Sequence, residues 1–338
     1  MTSTPVTRVL SGIQPTGNLH LGNLLGAILR WVRMQEEAPC CFFLADLHSL
    51  SDHIPAERRR ADVRNMAAAL IASGIDPERS VPFAQSDVPA HAELCWILNG
   101  TARMGWLSRM TQWKDKSGKN KEGASVALFD YPVLQAADIL LYKPSHVPVG
   151  EDQKQHIELT RDIAIKFNQD FGTDVFVLPE PFISGGVAAR VMSLRDGQAK
   201  MSKSDPSDMS RVNLIDSDED IAAKIRKART DPEPLPCDPE LLAGRPEARN
   251  LVGIMAAVTG EPEVAVLQRF EGQGFGAFKP VLADALIALL APIRARYAEL
   301  ERDTATLDRL LDEGAAKARA LADPTLLQVK RAVGLSRH

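Results

Sequence analysis

The chain has 338 residues, of which 45% are hydrophobic and 25% are charged. This is a globular composition, and the length permits two domains. The net charge of −4 excludes a uniformly basic nucleic-acid-binding protein. No uninterrupted apolar run approaches the roughly 20 residues of a membrane span, and residues 1–5 lack the basic start and apolar stretch of a signal peptide. We expect a cytoplasmic protein with no membrane partner.

Basic residues gather in three clusters, at residues 58–60, 114–121 and 224–229. Taken alone, each cluster indicates a solvated helix face rather than an RNA contact. The chain has four cysteines, Cys40, Cys41, Cys95 and Cys237. Because none forms a C-x-x-C pair, we predict buried thiols rather than a metal site or a disulfide.

Strands and helices alternate through roughly the first 206 residues. Short apolar segments predict strands at residues 8–12, 40–45, 81–85, 147–149 and 175–178. Helical spacing of apolar residues predicts helices at 21–32, 55–73, 90–98, 103–113, 132–142 and 151–167. The lysine- and glycine-rich residues 114–123 predict a mobile loop. This alternation predicts an α/β domain, a doubly wound parallel sheet with helices on both faces.

Beyond Asp205 the pattern changes to helices alone. They are predicted at residues 221–229, 250–258, 264–270, 280–302 and 304–322. A domain boundary is therefore expected near residues 207–210, followed by an all-helical C-terminal domain.

The segment Lys200-Met201-Ser202-Lys203-Ser204-Asp205 carries two lysines and two hydroxyl side chains. It is too polar for a core and too short for a solvated helix face. We therefore predict a mobile loop that brings two ammonium groups to a multiply anionic ligand.

A second polar segment, Pro15-Thr16-Gly17-Asn18-Leu19-His20-Leu21-Gly22-Asn23, joins the first strand to the first helix. Glycines such as Gly12 and Gly17 allow close backbone approach to a ligand, and the helix start at Gly22 favours phosphate. His20 and Asn23 can donate to phosphate or ribose. The spacing fits neither a P-loop nor the dinucleotide fingerprint, so a plain strand-to-helix turn is an equal alternative. Together with the lysine loop, the segment predicts a nucleoside triphosphate site.

Two further features carry unusual polar groups. In Val149-Gly150-Glu151-Asp152-Gln153, carboxylates follow a short strand and open a helix. They either cap the helix or bind ribose hydroxyls at the end of the strand. Asp138 lies in an otherwise apolar helix, where a carboxylate is costly unless it is paired. Its partner is either a neighbouring cation or an N–H group of a ligand.

Five motifs in this order resemble the bacterial tryptophanyl-tRNA synthetases, which are class I aminoacyl-tRNA synthetases. They are Ser11-Gly12-Ile13-Gln14-Pro15-Thr16-Gly17, His20-Leu21-Gly22-Asn23, Ala136-Ala137-Asp138-Ile139-Leu140, Gly150-Glu151-Asp152-Gln153 and Lys200-Met201-Ser202-Lys203-Ser204. The second and fifth correspond to the HIGH and KMSKS signatures of class I, with Asn23 in place of the second histidine. The resemblance implies a Rossmann-type catalytic domain.

The resemblance also implies a reaction in two steps. Tryptophan and ATP form tryptophanyl-adenylate and pyrophosphate, and the tryptophanyl group then moves to the 3′ end of tRNA(Trp). Magnesium is expected on the ATP and not in a protein cage. The residues expected to act on the phosphates are Lys200, Lys203, Ser202, Ser204, His20 and Asn23, with added charge from Lys114 or Lys116.

Two sets of binding residues follow from the resemblance. Expected at ATP are Gln14, Pro15, Thr16, Gly22, Asn23, Gly150, Glu151, Asp152, Val191, Lys200, Met201, Ser202, Lys203 and Ser204. Expected at tryptophan are Leu10, Gly12, His48, Tyr131, Gln135, Asp138, Ile139, Val147, Val149 and Gln153. In this scheme Asp138 accepts the indole N–H, which neither tyrosine nor phenylalanine offers there. Gln135 replaces an expected methionine and either adds a polar contact or is neutral.

The resemblance divides the chain into three parts. Residues 1–206 form the catalytic domain with a helical insertion that makes a homodimer, residues 207–310 bind the tRNA anticodon, and residues 311–338 pack back on the body. Lys224, Arg226, Lys227 and Arg229 are the basic residues expected to face tRNA. Tyrosyl-tRNA synthetase is the nearest alternative, and a paralogue that senses tryptophan or tRNA without acylation is the other.

Overall fold

The computed structural model of the protein describes residues 8–117, 122–144, 146–148, 153–182 and 190–337. Five strands are described: β1 (Val9–Ile13), β2 (Cys40–Leu44), β3 (Ser80–Ala84), β4 (His146–Pro148) and β5 (Glu180–Phe182). They form one parallel sheet in the order β3-β2-β1-β4-β5. The order reverses between β1 and β4, so the crevice beyond their carboxyl ends is where a ligand is expected.

Eight helices belong to the sheet-containing part of the described chain. They are α1 (Leu21–Asn23), α2 (Leu29–Glu37), α3 (Ala56–Ala72), α4 (Ala90–Asn99), α5 (Met104–Leu107), α6 (Thr111–Ser117), α7 (Val126–Tyr142) and α8 (Lys154–Asp170). A π-helical turn, Leu24–Ile28, joins α1 to α2, and 3₁₀ turns at His48–Ser51 and Gln85–Asp87 follow β2 and β3.

The described residues after β5 contain helices and no strand. They are α9 (Asp218–Lys227), α10 (Pro246–Thr259), α11 (Glu263–Arg269), α12 (Phe275–Arg302) and α13 (Thr304–Ala332), with 3₁₀ turns at Asp208–Ser210 and Pro239–Leu242. The predicted class, a doubly wound parallel sheet followed by a helical region, is confirmed. The domain boundaries at residues 206 and 310 stay predictions.

The interior strand β2 supplies side chains to a hydrophobic core on each side of the sheet. Cys40, Phe42 and Leu44 enter one core, and Cys41 and Phe43 enter the other. This is the behaviour predicted for a continuous apolar strand covered on both faces. Phe42 stacks on Trp31 of α2 with ring centroids 5.2 Å apart. The first core continues without a break into helices α10 and α12, so the two regions share apolar packing.

One strand was placed wrongly by sequence. Val175 and Phe176 are buried but are not in a strand, because the side-chain amide of Asn168 bonds both backbone groups of Phe176. A ladder would need those same N–H and C=O groups. The strand lies a few residues later, at Glu180–Phe182.

Several helix ends also differ from the prediction. Helix α7 starts at Val126, capped by the hydroxyl of Ser125, and carries Pro132 in its interior. Proline is over-represented at the first position of helices, so Pro132 misplaced the predicted start of this helix. Helix α6 runs to Ser117, into the stretch predicted as a loop. Helix α13 extends to Ala332 because Leu326 and Val329 continue its buried face.

The cysteines divide into buried and exposed thiols. Cys40, Cys41 and Cys95 are buried as predicted, and burial raises the pKa of Cys40 to about 12 and that of Cys41 to about 11. Cys237 is exposed, so the prediction of a buried thiol is wrong there. It lies in a proline-rich connection that forms no part of a periodic apolar segment.

Helix α12 is long and apolar enough to span a membrane by length and composition alone, with a mean hydropathy of 1.6 in its apolar window. Lys279 and Asp284 interrupt its apolar residues, so no continuous apolar run stands out in the sequence. In the structure the helix packs against α3 and α9, and Phe278, Leu282 and Leu286 are fully buried in the core. Of that apolar window 33% is buried, so one face of the helix packs in the core.

The last helix, α13, lies against the edge strand β3. Gly314 makes this possible, since a Cβ atom there would lie far inside van der Waals distance of the Pro82 carbonyl oxygen. The bidentate pair of Arg64 with Asp308 and the bond from Lys143 to Gln328 at 2.7 Å join the helix to α3 and to the end of α7. Helix α13 thus covers a strand edge that would otherwise be exposed.

We expect Gly314→Ala to lower stability by roughly 1–3 kcal/mol, because the added methyl overpacks the contact with β3. Thermal and urea unfolding followed by circular dichroism would measure it. Gly276→Ala in α12 is the matched control, since nothing lies within 4 Å of a Cβ there and alanine favours a helix. Equal stability of the two variants would contradict the proposed role of Gly314.

Candidate active site

A cavity of about 440 Å³ opens at the carboxyl end of the sheet, next to β1 and helix α7. Most residues predicted for the tryptophan pocket line it: Leu10, Gly12, His48, Tyr131, Gln135, Asp138, Ile139, Val147 and Gln153. Gln14, predicted for ATP, lines it as well. Val149, Gly150, Glu151 and Asp152 lie outside the described residues.

Gly12 and Phe43 form one wall of this cavity. A Cβ atom at residue 12 would lie 2.5 Å from the Phe43 ring, so only glycine fits between the strand and that ring. Phe43 was not among the predicted site residues, and neither were Gln112 and Leu128, which also line the cavity. Phe43 resembled any other apolar residue of a buried strand, so its sequence gave no signal of this position.

The Asp138 carboxylate lies at the wall of the cavity with no solvent exposure. Its Oδ1 accepts hydrogen bonds from Gln85 Nε2 at 2.6 Å and from His91 Nδ1 at 2.6 Å. Its Oδ2 accepts one from His48 Nε2 at 2.8 Å. The three donors come from the turn after β3, from α4 and from the turn after β2, respectively.

This arrangement revises the expected partner of Asp138. The sequence offered a lysine or arginine or a ligand N–H, and the structure supplies two imidazoles and an amide. Burial acts to raise the pKa of Asp138, but the hydrogen bonds from His48 and His91 outweigh it and lower the pKa to about 2. The carboxylate is therefore ionised throughout the physiological pH range.

His48 also lines the cavity. Its ring packs edge-on against Tyr131 at 4.9 Å, and the buried Nδ1 has no hydrogen-bond partner among the described residues. Gln135 and Gln153 lie close together, with Gln135 Nε2 donating to Gln153 Oε1 at 3.4 Å. The cavity thus combines aromatic and aliphatic walls with a few directed polar groups, as small-molecule sites do.

The loop after β1 carries the second group of predicted residues. Gly17 adopts a positive φ of 60°, the turn that glycine accommodates easily. His20 is buried, and its pKa falls to about 4 through burial and the charges of Lys203, Arg211 and Lys200, so it is neutral at pH 7. Asn23 Oδ1 accepts from the His20 backbone N–H at 3.2 Å. In this structure Asn23 therefore helps to hold the start of the helix.

The lysine-rich segment meets this loop directly. Lys203 Nζ donates to the Thr16 carbonyl oxygen at 2.7 Å, although the two residues are 187 positions apart. Burial lowers the pKa of Lys203 to about 8, against a smaller opposing effect of Asp62. The hydroxyls of Ser202 and Ser204 are 2.9 Å apart, and Lys200 is exposed. The sequence prediction that both loops converge on one place is consistent with these contacts.

The same segment is anchored more firmly than a mobile loop would be. Met201 is buried, and its backbone N–H donates to Val191 at 3.1 Å, so the segment forms one side of a hairpin. Arg211, which the sequence did not single out, donates to the carbonyl oxygens of Ser202 and Asp205.

Helix α10 is hydrogen-bonded to this hairpin through Asn250. Asn250 accepts from the Met192 N–H at 2.8 Å and donates to its carbonyl at 3.0 Å. A Cβ atom at Gly197 would lie 2.5 Å from the backbone of Pro246 and Glu247. Val191 and Met192 also line a second cavity of about 1160 Å³ between α2 and α10, which shares Gly26 and Arg30 with the first cavity.

Outside the cavities, the predicted basic face on α9 is only partly exposed. Lys224 is buried and pairs with Asp208 at 2.6 Å and Asp216 at 2.5 Å, so it cannot face a nucleic acid. Arg226 and Lys227 are exposed. Lys114 is exposed and does not line either cavity, and the side chain of Lys116 lies outside the described residues.

We expect Asp138→Asn to destabilise the fold as well as alter the site. The substitution replaces an acceptor oxygen by an NH₂ group that faces existing donors, and breaking a buried charge cluster costs roughly 3–5 kcal/mol. Differential scanning calorimetry would measure the loss. Asp130→Asn on the same helix is the control, because Asp130 is only half-buried and accepts chiefly from Asn99. A smaller loss for Asp138→Asn than for Asp130→Asn would contradict this account.

Comparison with known proteins gives a consistent result. The family model for class I tRNA synthetases of the W and Y type matches residues 2–291. A tryptophan–tRNA ligase of Caulobacter vibrioides is 58% identical over 328 residues, which are 97% of this chain and 95% of the relative. The crystal structure of Campylobacter jejuni tryptophanyl-tRNA synthetase with ADP and tryptophan has a TM-score of 0.83 and 38% identity, covering 97% of this chain and 100% of that one. An Archaeoglobus fulgidus tyrosyl-tRNA synthetase complexed with L-tyrosine shares the fold at a TM-score of 0.66, with 20% identity, 87% of this chain and 91% of that one.

Proposed function

This chain belongs to the tryptophan–tRNA ligase family of class I tRNA synthetases, and we propose that it activates L-tryptophan with ATP and transfers it to tRNA(Trp). The observation that carries the proposal is the cavity beside Asp138, which lies next to the convergence of the two phosphate-binding loops. The relatives are named as tryptophan enzymes at high identity, whereas the likeness to the tyrosine enzyme shows the fold alone. The tyrosyl alternative is therefore set aside.

The amino acid is proposed to bind with its indole ring between the apolar walls. Asp138 Oδ2 accepts the indole N–H, and Tyr131, Gln135, Gln153 and His48 surround the ring and the α-amino group. A buried ionised carboxylate that loses a donor is costly, so a side chain without an N–H at that place is rejected. Leu10, Gly12, Ile139, Val147 and Val149 complete the proposed pocket.

ATP is proposed to lie between the loop after β1 and the hairpin of residues 190–204. Lys200, Lys203, Ser202 and Ser204 hold the β- and γ-phosphates, and the helix start at Gly22 adds backbone N–H groups. Gln14, Pro15, Thr16, His20 and Asn23 are proposed on the same side, Val191 and Met201 near the base, and Gly150, Glu151 and Asp152 at the ribose. Since His20 is neutral, it acts as a hydrogen-bonding group and not as a charge.

The reaction asks little covalent chemistry of the protein. The tryptophan carboxylate attacks the α-phosphorus, and pyrophosphate leaves on the opposite side, so catalysis rests on alignment and charge stabilisation. Magnesium would be carried by the triphosphate. Among the described residues no group of three or more His, Cys, Asp or Glu side chains could hold a metal ion, and the described phosphate side offers lysines, which suit phosphate oxygens.

The remaining proposals concern assembly and location. Trp96, Met104 and Val126 are 79%, 71% and 80% exposed on helices α4, α5 and α7, which pack together. Large exposed apolar side chains in one area favour a protein interface, and we propose that this face forms a homodimer.

The domain that follows residue 206 is proposed to bind the tRNA anticodon. A cytoplasmic location stays a prediction.

ATP–pyrophosphate exchange tests the proposed activity directly. We expect exchange with L-tryptophan and a rate at least about a thousandfold lower with L-tyrosine or L-phenylalanine, because the indole donor is absent. Aminoacylation of tRNA(Trp) should follow with the same specificity. Exchange with tyrosine instead, or tryptophan binding without exchange, would support one of the two alternatives.

Lys203→Ala should slow adenylate formation about a hundredfold, the typical cost of one lost donor to transition-state charge, with little effect on tryptophan affinity. Single-turnover kinetics and tryptophan binding would separate the two effects. A parallel loss of both would show that the loop is structural.

The pH dependence of ATP binding provides a second test of Lys203. The free ammonium loses its proton above pH 8, and phosphate binds the ammonium form, so ATP affinity should fall as pH rises through about 8. Lys203→Arg keeps its charge there and should abolish this fall. An identical fall in both proteins would assign it to another group.

Arg226→Glu with Lys227→Glu should weaken tRNA charging and spare ATP–pyrophosphate exchange, because two phosphate-facing charges are reversed. The loss should be largest at low salt and shrink as salt concentration rises in charging assays, because salt weakens the same phosphate contacts in the unchanged protein. Arg296→Glu with Arg302→Glu makes the same charge change on α12 and is the control. Equal charging by both double variants would show that the α9 face is merely solvated.

A further inference from the structure

A buried chain of hydrogen bonds continues from Asp138 away from the cavity. Both ring nitrogens of His91 are hydrogen-bonded. Nδ1 lies 2.6 Å from Asp138 Oδ1, and Nε2 lies 2.8 Å from the Tyr142 hydroxyl oxygen. His91 and Tyr142 both have no solvent exposure. Neither residue lines either cavity, so their effect on a ligand must pass through Asp138.

The direction of this chain follows from the chemistry of its ends. Burial raises the pKa of Tyr142 well above its usual range, so the phenol keeps its proton and can donate it. When the phenol donates to Nε2 of a neutral imidazole, the ring proton resides on Nδ1, which points at the carboxylate. Because an ionised carboxylate can only accept, Asp138 itself requires the proton on Nδ1, and the Tyr142 hydroxyl holds the other end of the ring by its bond to Nε2.

The ring of His91 is also fixed by its apolar neighbours. Phe43, Phe83 and Tyr142 pack around it with ring centroids 5.9, 5.9 and 5.5 Å away. Rotation of the imidazole would break both hydrogen bonds and disturb these contacts. The donor to Asp138 Oδ1 is therefore held in one place before any ligand arrives.

The acceptor capacity of the carboxylate is divided unevenly. A carboxylate oxygen accepts about two hydrogen bonds. Oδ1 already has two, from Gln85 and His91, whereas Oδ2 has one, from His48. His48 lines the cavity, so the oxygen with acceptor capacity left is the one that bonds a cavity-lining residue.

We propose that His91, oriented by Tyr142, is a positioning residue for substrate selection: together with Gln85 it saturates Asp138 Oδ1 and turns Oδ2 toward the indole N–H of tryptophan. This inference rests on the proposed function. It assigns indole recognition to four side chains, those of Asp138, Gln85, His91 and Tyr142. Of these, His91 and Tyr142 do not touch the substrate. Preorganisation of this kind raises specificity because the acceptor is not reoriented on binding.

The readout is a selectivity ratio in the full-length protein. ATP–pyrophosphate exchange is measured with tryptophan and with its analogue in which sulfur replaces the indole N–H, and the ratio of the two kcat/KM values is compared between variants. A charge-assisted hydrogen bond corresponds to about ten- to a hundredfold in this ratio for the wild type. A wild-type ratio near one would overturn indole recognition by Asp138, and absence of exchange would overturn the proposed function itself.

His91→Leu removes both hydrogen bonds, and we expect it to lower the ratio about tenfold, mainly through the KM of tryptophan, with the KM of ATP unchanged. His91→Asn places an amide N–H near the former Nδ1 and should recover most of the ratio. A variant that loses activity with both substrates equally, at an unchanged ratio, would show that His91 only supports the fold and would overturn the proposal.

Tyr142→Phe keeps the ring and removes the hydroxyl, and it serves if His91→Leu does not fold. We expect a fall of about threefold in the ratio, since one of the two hydrogen bonds that hold the His91 ring is lost. Tyr297→Phe, another buried tyrosine but on α12, is the matched control and should leave the ratio unchanged. Equal ratios for Tyr142→Phe, Tyr297→Phe and the wild type would overturn the proposal that Tyr142 orients His91.

Discussion

The ionised carboxylate of Asp138 is the constraint on which the rest of the site depends. A fully buried charge is tolerated only when donors surround it, and here they come from three separate segments: Gln85, His91 and His48. Satisfying this single group therefore fixes the turns after β2 and β3 and helix α4 relative to helix α7. Under the proposed function the same donors determine which oxygen is left for tryptophan, so stability and the proposed recognition depend on one set of contacts.

The phosphate side follows a different principle. Here the charged group with a backbone contact is Lys203, which donates to the Thr16 carbonyl oxygen. Asn250 holds the hairpin that carries Lys203 by bonding both backbone groups of Met192. The close contact of Gly197 with Pro246 and Glu247 ties that hairpin to helix α10. Because the apolar core also runs from the sheet into α10 and α12, a displacement of the helical region would carry with it the hairpin that is proposed to bind phosphate.

Differences between prediction and structure have a common origin in contacts that local patterns do not record. Residues 175–178 have the composition of a strand, but Asn168 takes the backbone groups of Phe176. Lys224 belongs to a basic run, yet Asp208 and Asp216 draw it into the interior. The Lys200–Ser204 motif is polar, but buried Met201 anchors it. In each case a distant or non-periodic partner outweighed the local preference.

Several features were determined by the sequence alone: the parallel α/β class, the helical C-terminal region, the membership of the family and half of the residues that line the cavity. These follow from apolar periodicity and from motifs whose residues are close in the chain, such as His20 to Asn23 and Lys200 to Ser204. Only the tertiary structure decided which groups complete the site. Gln85 and His91 bond Asp138 from 53 and 47 residues away along the chain, Tyr142 acts on it only through His91, and Phe43 closes over Gly12 from a neighbouring strand. Hydrogen bonding and packing of this kind depend on distance in space, which no spacing in the sequence specifies.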